Sequence, residues 1–381
     1  MTSAVYVHLP FCPYICPYCD FAKWPHKQSA AARYLQALHA EIERYSRHFG
    51  QSAAQYATVF LGGGTPNTYA AADIATLLEM LRRCFSGPSV RETTIEVNPE
   101  LVALEDLIVY RQAGVTRLSI GVQSFVPDEI RVLGRRHTTA DVDRVVAHAR
   151  AAGIPSVSVD LMFAVPAQTP ASWRRSLDQA IELGVDHIST YGLTIEPGTP
   201  FQAWRDRDAA AFFDDGAEAQ LYEIAIETLA RAGYEQYEIS NFARPGHRSR
   251  HNANYWDNGE YAGLGVGAAS YADGVRSVHT RDLESYVQAA LAGAAIPGEA
   301  ERLEGAKQAG EAAMLALRTS QGVCFEAFKE RYGVDFLKFY APVLQRHGES
   351  GFMEIDATHA RLTLRGRFMA NDVCADFVTF A

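Results

Sequence analysis

Residues 6–19 of the sequence read YVHLPFCPYICPYC, and they hold three of the chain's six cysteines. Cys12, Cys16 and Cys19 follow the spacing C-x3-C-x2-C, which lets one loop present three thiolates. Thiolates are soft ligands, and three of them can each hold one iron of a cubane cluster. No fourth cysteine follows nearby, because Phe21 stands at the next candidate position. The stretch therefore predicts a [4Fe–4S] cluster in which one iron stays open to bind another molecule.

Other uses of these cysteines are less consistent with the sequence. A structural zinc site usually draws on two separated pairs of ligands, and here the second pair is missing, although His8 or His26 could act as a fourth ligand. A disulfide fits poorly with an intracellular chain. The prolines and tyrosines between the cysteines indicate a stiff loop, not a periodic element that would bury cysteines in a core. The cluster remains the favoured interpretation.

Length and charge limit the function classes. The 381 residues can form one large domain and a smaller one, and the formal net charge of −10 argues against a nucleic-acid-binding surface. No apolar run is long enough to span a membrane, and the first residues do not resemble a secretory leader. We therefore expect a cytoplasmic protein that binds no nucleic acid.

Short apolar runs alternate with amphipathic segments through the first two-thirds of the chain. This alternation requires parallel strands joined by right-handed helical crossovers. Strands are predicted at residues 4–9, 58–61, 93–97, 117–120, 156–162 and 187–195, and helices between them at 29–49, 71–85, 101–113, 140–151 and 172–183. The predicted fold is α/β, an incomplete (β/α)6 parallel barrel, because a closed eight-stranded barrel would need two more such units.

Polar or glycine residues follow the predicted strands, where ligands bind in parallel barrels. The three cysteines follow the first strand, and the glycines at 62–64 follow the second, where missing side chains let a ligand approach the backbone. Later strand ends carry Glu96, Gln123, Asp160 and Thr194. A carboxylate in a buried strand needs a partner. A tight βα turn for the glycines and a solvated strand position for Glu96 remain the simpler alternatives.

Residues 251–256 read HNANYW. Histidine is a common axial ligand of haem iron, and Tyr255 and Trp256 offer flat apolar faces for a porphyrin. A histidine that is hydrogen-bonded in a loop packing two aromatic side chains against the barrel is the alternative.

The chain divides into three predicted parts: the partial barrel at 1–240, a connecting segment at 241–302 and a smaller domain at 303–381. In the last part, helical patterns at 306–318, 325–332 and 336–345 precede strand-like runs at 352–355 and 361–364 and a helix at 368–377. Helices followed by two strands predict a winged-helix-like α+β cap. Residues 323–381 hold seven Lys and Arg against eight Asp and Glu, which does not fit a DNA reader.

The cysteine motif, with an aromatic residue before its last cysteine, resembles the signature of the radical S-adenosylmethionine (SAM) enzymes. Its context, Tyr6-x-His8-x-Pro10-Phe11-Cys12 followed by Cys19-Asp20-Phe21, resembles the branch that contains oxygen-independent coproporphyrinogen III oxidase and the haem chaperone HemW. This resemblance implies that the open iron takes the amino and carboxylate groups of SAM. It also implies that a reduced cluster splits the sulfonium to give a 5′-deoxyadenosyl radical.

The resemblance also assigns site residues. Residues 62–66 match the family's Gly-Gly-Gly-Thr-Pro beside the SAM methionine, and residues 121–125 and 133–135 are further local matches. By this matching the SAM contacts are Tyr6, Tyr18, Gly63, Gly64, Thr65, Glu96, Gln123, Arg135, Asp160 and Thr194. No catalytic residue is assigned beyond the cluster.

The HNANYW stretch is similar to a motif of the haem chaperones, which implies haem as cargo near His251, Tyr255 and Trp256. The recipient would then be a respiratory, membrane-associated haem protein. The oxidase has a fourth cysteine where this chain has Phe21, and it has a long extension where only eleven residues precede Cys12. Both differences favour the chaperone, although Ala269 stands where many of the chaperones have a histidine. Coproporphyrinogen decarboxylation and another radical reaction on a tetrapyrrole, such as haem ring opening, remain the alternatives.

Overall fold

The computed structural model describes residues 4–49, 56–85 and 90–380. Its strands are β1 (Ala4–Leu9), β2 (Phe11–Cys12), β3 (Trp24–Pro25), β4 (Thr58–Gly63), β5 (Glu92–Val97), β6 (Arg117–Gln123), β7 (Ser156–Phe163), β8 (His187–Gly192), β9 (Glu235–Gln236), β10 (Asn241–Ala243), β11 (Tyr261–Leu264), β12 (Ala269–Ala272), β13 (Val275–His279), β14 (Gly298–Arg302), β15 (Val323–Cys324), β16 (Met353–Ile355) and β17 (His359–Leu362).

Helices cover the sheet and build the C-terminal part. They are α1 (Gln28–Phe49), α2 (Ala71–Cys84), α3 (Leu104–Gln112), α4 (Pro127–Val132), α5 (Thr139–Ala151), α6 (Pro170–Glu182), α7 (Pro200–Arg207), α8 (Asp215–Arg231), α9 (Arg250–Trp256), α10 (Leu283–Leu291), α11 (Gly305–Leu317), α12 (Phe325–Tyr332), α13 (Phe336–Phe339), α14 (Ala341–Glu349), α15 (Leu364–Phe368) and α16 (Ala370–Phe380). Across the described ranges, no helix is both long and apolar enough to cross a membrane.

Six parallel strands, β1 and β4 to β8, lie side by side in chain order. The sheet that contains them has two free edges, so the predicted incomplete (β/α)6 barrel is confirmed. The sixth strand is shorter than predicted. It ends at Gly192, where the Leu193 amide makes the last ladder hydrogen bond, to the carbonyl of Phe163, before the chain leaves the sheet. Thr194 therefore lies in a loop beyond the strand.

The segment predicted to be a connection adds strands to both edges of the barrel. β11 pairs parallel to β1, and β12 to β14 extend that edge as an antiparallel meander. β10 pairs antiparallel to β8 on the opposite edge. Because this segment contains many glycines, its sequence does not predict the strands of the meander. A Cβ at Gly263 would lie 1.8 Å from the carbonyl oxygen of Ala269, so glycine here permits close strand approach.

The two faces of the parallel strands differ in chemistry. Side chains facing the helices are apolar, for example Val59 and Leu61 of β4, which are buried with the helices in one core. Side chains facing the barrel interior are often polar and satisfy one another: Ser119 donates to Asp160, and Ser158 bonds His187. Because parallel sheets in α/β proteins are buried on both faces, these polar groups need partners. The barrel therefore has a polar interior inside an apolar shell.

The C-terminal part has its own apolar core, built from α11 to α14, α16 and the small sheet β15-β17-β16. The single helix predicted at 336–345 is two helices, because Pro342 cannot continue the helix from α13 and instead stands in the first turn of α14. This part contacts the barrel through both polar and apolar groups: Arg367 donates to Gln236 at 2.5 Å, and Phe368 packs against Tyr222 of the barrel core.

Candidate functional site

The cysteine loop begins directly after β1, at the carboxyl ends of the parallel strands. Cys12, Cys16 and Cys19 all line one cavity of about 510 Å³. The loop is closed at its base by the short parallel pairing of β2 with β3. Burial raises the pKa of the Cys12 thiol to about 11, and it also raises the pKa of Cys19. The bare site thus favours neutral thiols, and a cation is needed to hold them as thiolates.

The donor set fits an iron–sulfur cluster. Three soft sulfur atoms share one cavity, and Arg135 Nη1 lies 4.0 Å from Cys16 Sγ. Within the part of the chain that the structure describes, no three His, Cys, Asp or Glu side chains are grouped to hold one metal ion. A cluster takes one thiolate per iron, so its ligands need not converge on a single point.

The glycine loop after β4 lies against the end of β1. A Cβ at Gly63 would lie 2.3 Å from the His8 ring, and one at Gly64 would lie 2.6 Å from the carbonyl oxygen of Leu9. Gly63 also has a φ of +103°, which side chains rarely adopt. Gly63 and Gly64 still line the cavity, as predicted. Glycine is needed at both positions first of all because a side chain would clash with the His8 ring or with the backbone of Leu9.

We expect Gly63→Ala to lower the free energy of unfolding by at least about 3 kcal/mol, because strain at positive φ adds to a clash with the His8 ring. Gly198→Ala is the matched control, since Gly198 also has a positive φ but a Cβ there would meet nothing within 4 Å. It should cost only about 1 kcal/mol. Urea unfolding of both variants measures the difference, and equal losses would show that the contact with His8 contributes nothing.

Two carboxylates face the cavity without a basic partner. Glu96 Oε2 accepts from the Gly63 amide at 3.1 Å, and Asp160 accepts from Ser119 at 3.0 Å. Among the described residues, neither forms an ion pair with Lys, Arg or His. Burial, followed by the charge of Asp160, raises the pKa of Glu96 to about 8, and burial also raises the pKa of Asp160. Two buried acids of this kind form a site for a cationic group.

Arg135 connects the end of β6 to the cysteine loop. Its Nη2 donates to the Gly121 carbonyl at 2.6 Å and to Asn98 Oδ1 at 2.9 Å. Its Nε is buried and has no hydrogen-bond partner. Gln123, at the end of β6, has a φ of 64°, which is unusual for a residue other than glycine. Strained backbone and an unsatisfied buried donor are both typical of ligand sites.

Most of the predicted site residues meet in this cavity. It is lined by Cys12, Cys16, Cys19, Tyr18, Gly63, Gly64, Thr65, Glu96, Gln123, Arg135, Asp160 and Thr194. Tyr6 is the exception among the predicted SAM contacts, since it does not line the cavity and instead bonds the Nδ1 of His8 from inside the barrel. Sequence reasoning missed Tyr14, Asn98 and Tyr191, which also line it. Asn98 could have been found, because it directly follows the strand predicted at residues 93–97.

The HNANYW stretch lies at the other end of the barrel. It forms α9, whose first amides donate to Glu92 at the start of β5. His251 is 1% exposed, its Nδ1 bonds Thr58 Oγ1 at 2.9 Å and its Nε2 bonds the Tyr255 hydroxyl at 2.8 Å. Burial lowers the pKa of His251 to about 3. The structure does not bring His251, Tyr255 and Trp256 to the cavity, and in this arrangement a bond from His251 to haem iron would require one of its hydrogen bonds to break.

Comparison with known proteins gives consistent results over the whole chain. Residues 6–198 match the radical SAM superfamily, and residues 303–369 match the HemN C-terminal domain. The chain is 34% identical to the heme chaperone HemW of Bacillus subtilis over 99% of both chains. It is 36% identical to the heme chaperone HemW of Escherichia coli over 75% of both. Its structure is similar to that of coproporphyrinogen III oxidase (HemN) from Escherichia coli, with a TM-score of 0.87 and 25% identity, covering 100% of this chain and 91% of the other.

Proposed function

The chain belongs to the radical SAM superfamily and, within it, to the HemW family, and from that membership we propose that it is a haem chaperone that holds a [4Fe–4S] cluster and SAM in its barrel. The proposal depends mainly on one cavity, which brings together three thiols and two carboxylates that form no ion pair. The chain that contains this cavity is similar to HemW over 99% of its length.

The chain's own residues have separate tasks in this proposal. Cys12, Cys16 and Cys19 would hold three irons, and Arg135 Nη1 lies 4.0 Å from Cys16 Sγ. Glu96 and Asp160 would accept hydrogen bonds from the amino group of SAM, since both are buried and neither forms an ion pair among the described residues. When bound, the cluster supplies an electron for reductive cleavage of the sulfonium. A chaperone can keep this site for binding without routine turnover.

Haem is the proposed cargo, and its recipient is proposed to be a respiratory, membrane-associated haem protein. The proposed location of the protein is the cytoplasm. Assignment of haem to His251, Tyr255 and Trp256 stays a prediction, because it requires α9 to rearrange around a histidine whose ring nitrogens both have partners.

Anaerobic reconstitution followed by haem titration tests the proposal. We expect one haem per chain to survive gel filtration and to give a defined Soret band, with and without SAM. Intact haem should then pass to an apo-haem protein. Protein that releases all its haem on the column would contradict the chaperone function.

Coproporphyrinogen III decarboxylation is the second candidate, favoured by the structural similarity to the Escherichia coli oxidase. Anaerobic assay with coproporphyrinogen III, SAM and reductant distinguishes the two. Protoporphyrinogen formation would reverse the order of the candidates. Loss of haem during SAM turnover would instead indicate a ring-opening reaction.

A further inference from the structure

A short segment that the backbone does little to fix joins two of the three thiols. Residues 13–15 connect Cys12 to Cys16, and within the described ranges their backbone amides and carbonyls form no hydrogen bond. The only hydrogen bond that the segment makes there comes from a side chain: the Tyr14 hydroxyl donates to Glu100 Oε1 at 2.7 Å. Burial raises the pKa of Tyr14, which keeps this hydroxyl protonated as the donor. The conformation of the segment therefore depends on one tyrosine.

Glu100 holds Tyr14 from another strand end of the barrel. It lies in the turn that follows β5, directly after Pro99. Its second oxygen, Oε2, is buried and has no hydrogen-bond partner in the part of the chain that the structure describes. A buried acceptor that lacks a partner is costly to a fold and needs an explanation. The Tyr14 hydroxyl is thus the donor that orients this carboxylate.

The turn after α4 lies against the cysteine loop from a third direction. A Cβ at Gly134 would lie 2.7 Å from Pro17 Cδ, so the backbone of this turn meets the loop closely. Arg136 Cζ lies 4.7 Å from the centroid of the Tyr14 ring, which is within the range of a cation–π contact. Tyr14 is therefore held at its hydroxyl by a carboxylate and at its ring by a guanidinium group.

We propose that Tyr14 is a positioning residue for the iron–sulfur cluster, acting with Glu100 to fix the distance between the thiols of Cys12 and Cys16. The inference rests on the proposed cluster. Each thiolate must meet a different iron of one cubane, so a loop that already holds the thiols at the right separation loses less conformational freedom when the cluster binds. Tyr14 supplies no ligand, and its effect reaches the cluster through the backbone of residues 13–15.

A double-mutant cycle tests this pair. Tyr14→Phe removes the hydroxyl and keeps the ring beside Arg136, and Glu100→Ala removes the acceptor. After anaerobic reconstitution, each variant should release its cluster to an iron chelator about tenfold faster than wild type, as expected for losing a partner of a metal ligand. The double variant should match the single variants within about twofold, because the two groups act as one unit.

Glu100→Gln is the conservative variant that should rescue the site, because it keeps an acceptor oxygen for the Tyr14 hydroxyl. Its cluster should be released within about twofold of the wild-type rate. The decay of the cluster absorbance measures release. The EPR spectrum of the reduced cluster is a second readout, and it should differ from wild type in Tyr14→Phe.

Two further variants are matched controls. Tyr69→Phe removes a buried hydroxyl near the loop, beside Phe11, that has no hydrogen-bond partner among the described residues. Tyr234→Phe removes a buried hydroxyl that donates to the Val185 carbonyl at 2.6 Å, so it carries the cost of a lost hydrogen bond away from the loop. Both should release the cluster at the wild-type rate. If Glu100→Ala does not fold, Tyr14→Phe compared with Glu100→Gln and these controls decides the question.

Release from Tyr14→Phe at the rate of the controls would overturn the inference, and so would effects of Tyr14→Phe and Glu100→Ala that multiply in the double variant. Wild-type protein that takes up no cluster would overturn the proposed cluster and this inference together. Wild-type protein that holds the cluster but no haem would overturn only the chaperone function, and the release rates would still decide the role of Tyr14.

Discussion

Alanine in place of any one of Cys12, Cys16 and Cys19 is expected to lower the iron retained after anaerobic reconstitution by more than about tenfold. Loss of an outer-shell partner of a metal ligand already costs roughly tenfold to a hundredfold in affinity, and loss of a ligand costs more. The three thiols have no substitute, because the cavity holds no further cysteine or histidine among the described residues that line it. Iron and sulfide analysis, together with the cluster absorbance, measures the loss.

Cys84→Ala and Cys374→Ala are the controls for this experiment. Neither residue lines the cavity, and Cys374 is buried in the separate core of the C-terminal part. Both variants should retain wild-type iron. The zinc interpretation predicts a different outcome, in which the wild-type protein takes up one zinc per chain, binds no sulfide and shows no cluster absorbance. That result would remove the basis of the proposed function.

The parallel barrel is the reason that much of the site could be predicted from the sequence. Consecutive parallel strands all end at one edge, so residues far apart in the chain, such as Cys12, Glu96 and Asp160, could be placed together from the strand pattern alone. The pattern of small and acidic residues at strand ends needs no knowledge of side-chain contacts. The structure does place these residues around one cavity.

The position of HNANYW could not be predicted in the same way. A segment late in the chain joins one edge of the sheet through pairing with a strand that is distant in sequence, as β11 does with β1. No local pattern of residues encodes such a pairing. The sequence therefore does not assign His251 to either end of the barrel, whereas the structure places it beside Thr58, at the end opposite the cavity. The glycines at 62–64 show a related limit, because the rings and backbone that require them are distant in sequence.

The affinity for SAM is expected to increase with pH between about 6 and 8, and Glu96→Gln is expected to abolish this dependence. In the SAM-free protein the pKa of Glu96 is raised to about 8, first by burial and then by the charge of Asp160. Below that pH the carboxyl is mostly protonated and cannot act as a charged acceptor for the SAM amino group. Binding must therefore release a proton, so the association constant should rise by up to about tenfold per pH unit and level off above 8.

At pH 8 or higher, Glu96→Gln should weaken SAM binding about tenfold to a hundredfold, the range expected for losing a charge-assisted hydrogen bond. Anaerobic isothermal titration from pH 6 to 9 measures both effects. Glu41→Gln is the control, because Glu41 is also a buried carboxyl with a raised pKa but lies outside the cavity, bonded to Tyr286 and the Gly265 amide. The control should keep the wild-type pH slope, and a slope that survives in Glu96→Gln would exclude Glu96 as the titrating partner of SAM.

The same raised pKa predicts an opposite effect on the SAM-free protein. A carboxyl whose pKa rises from 4.5 to about 8 on folding contributes stability that is fully present below 4.5 and is lost as the pH rises through 8. Because glutamine carries no charge to bury, Glu96→Gln should be more stable than wild type above pH 8 while it binds SAM more weakly. Thermal unfolding at pH 6 and pH 9 tests this, and a stability gain that is larger at pH 9 than at pH 6 fits a carboxylate kept at an energetic cost for its ligand.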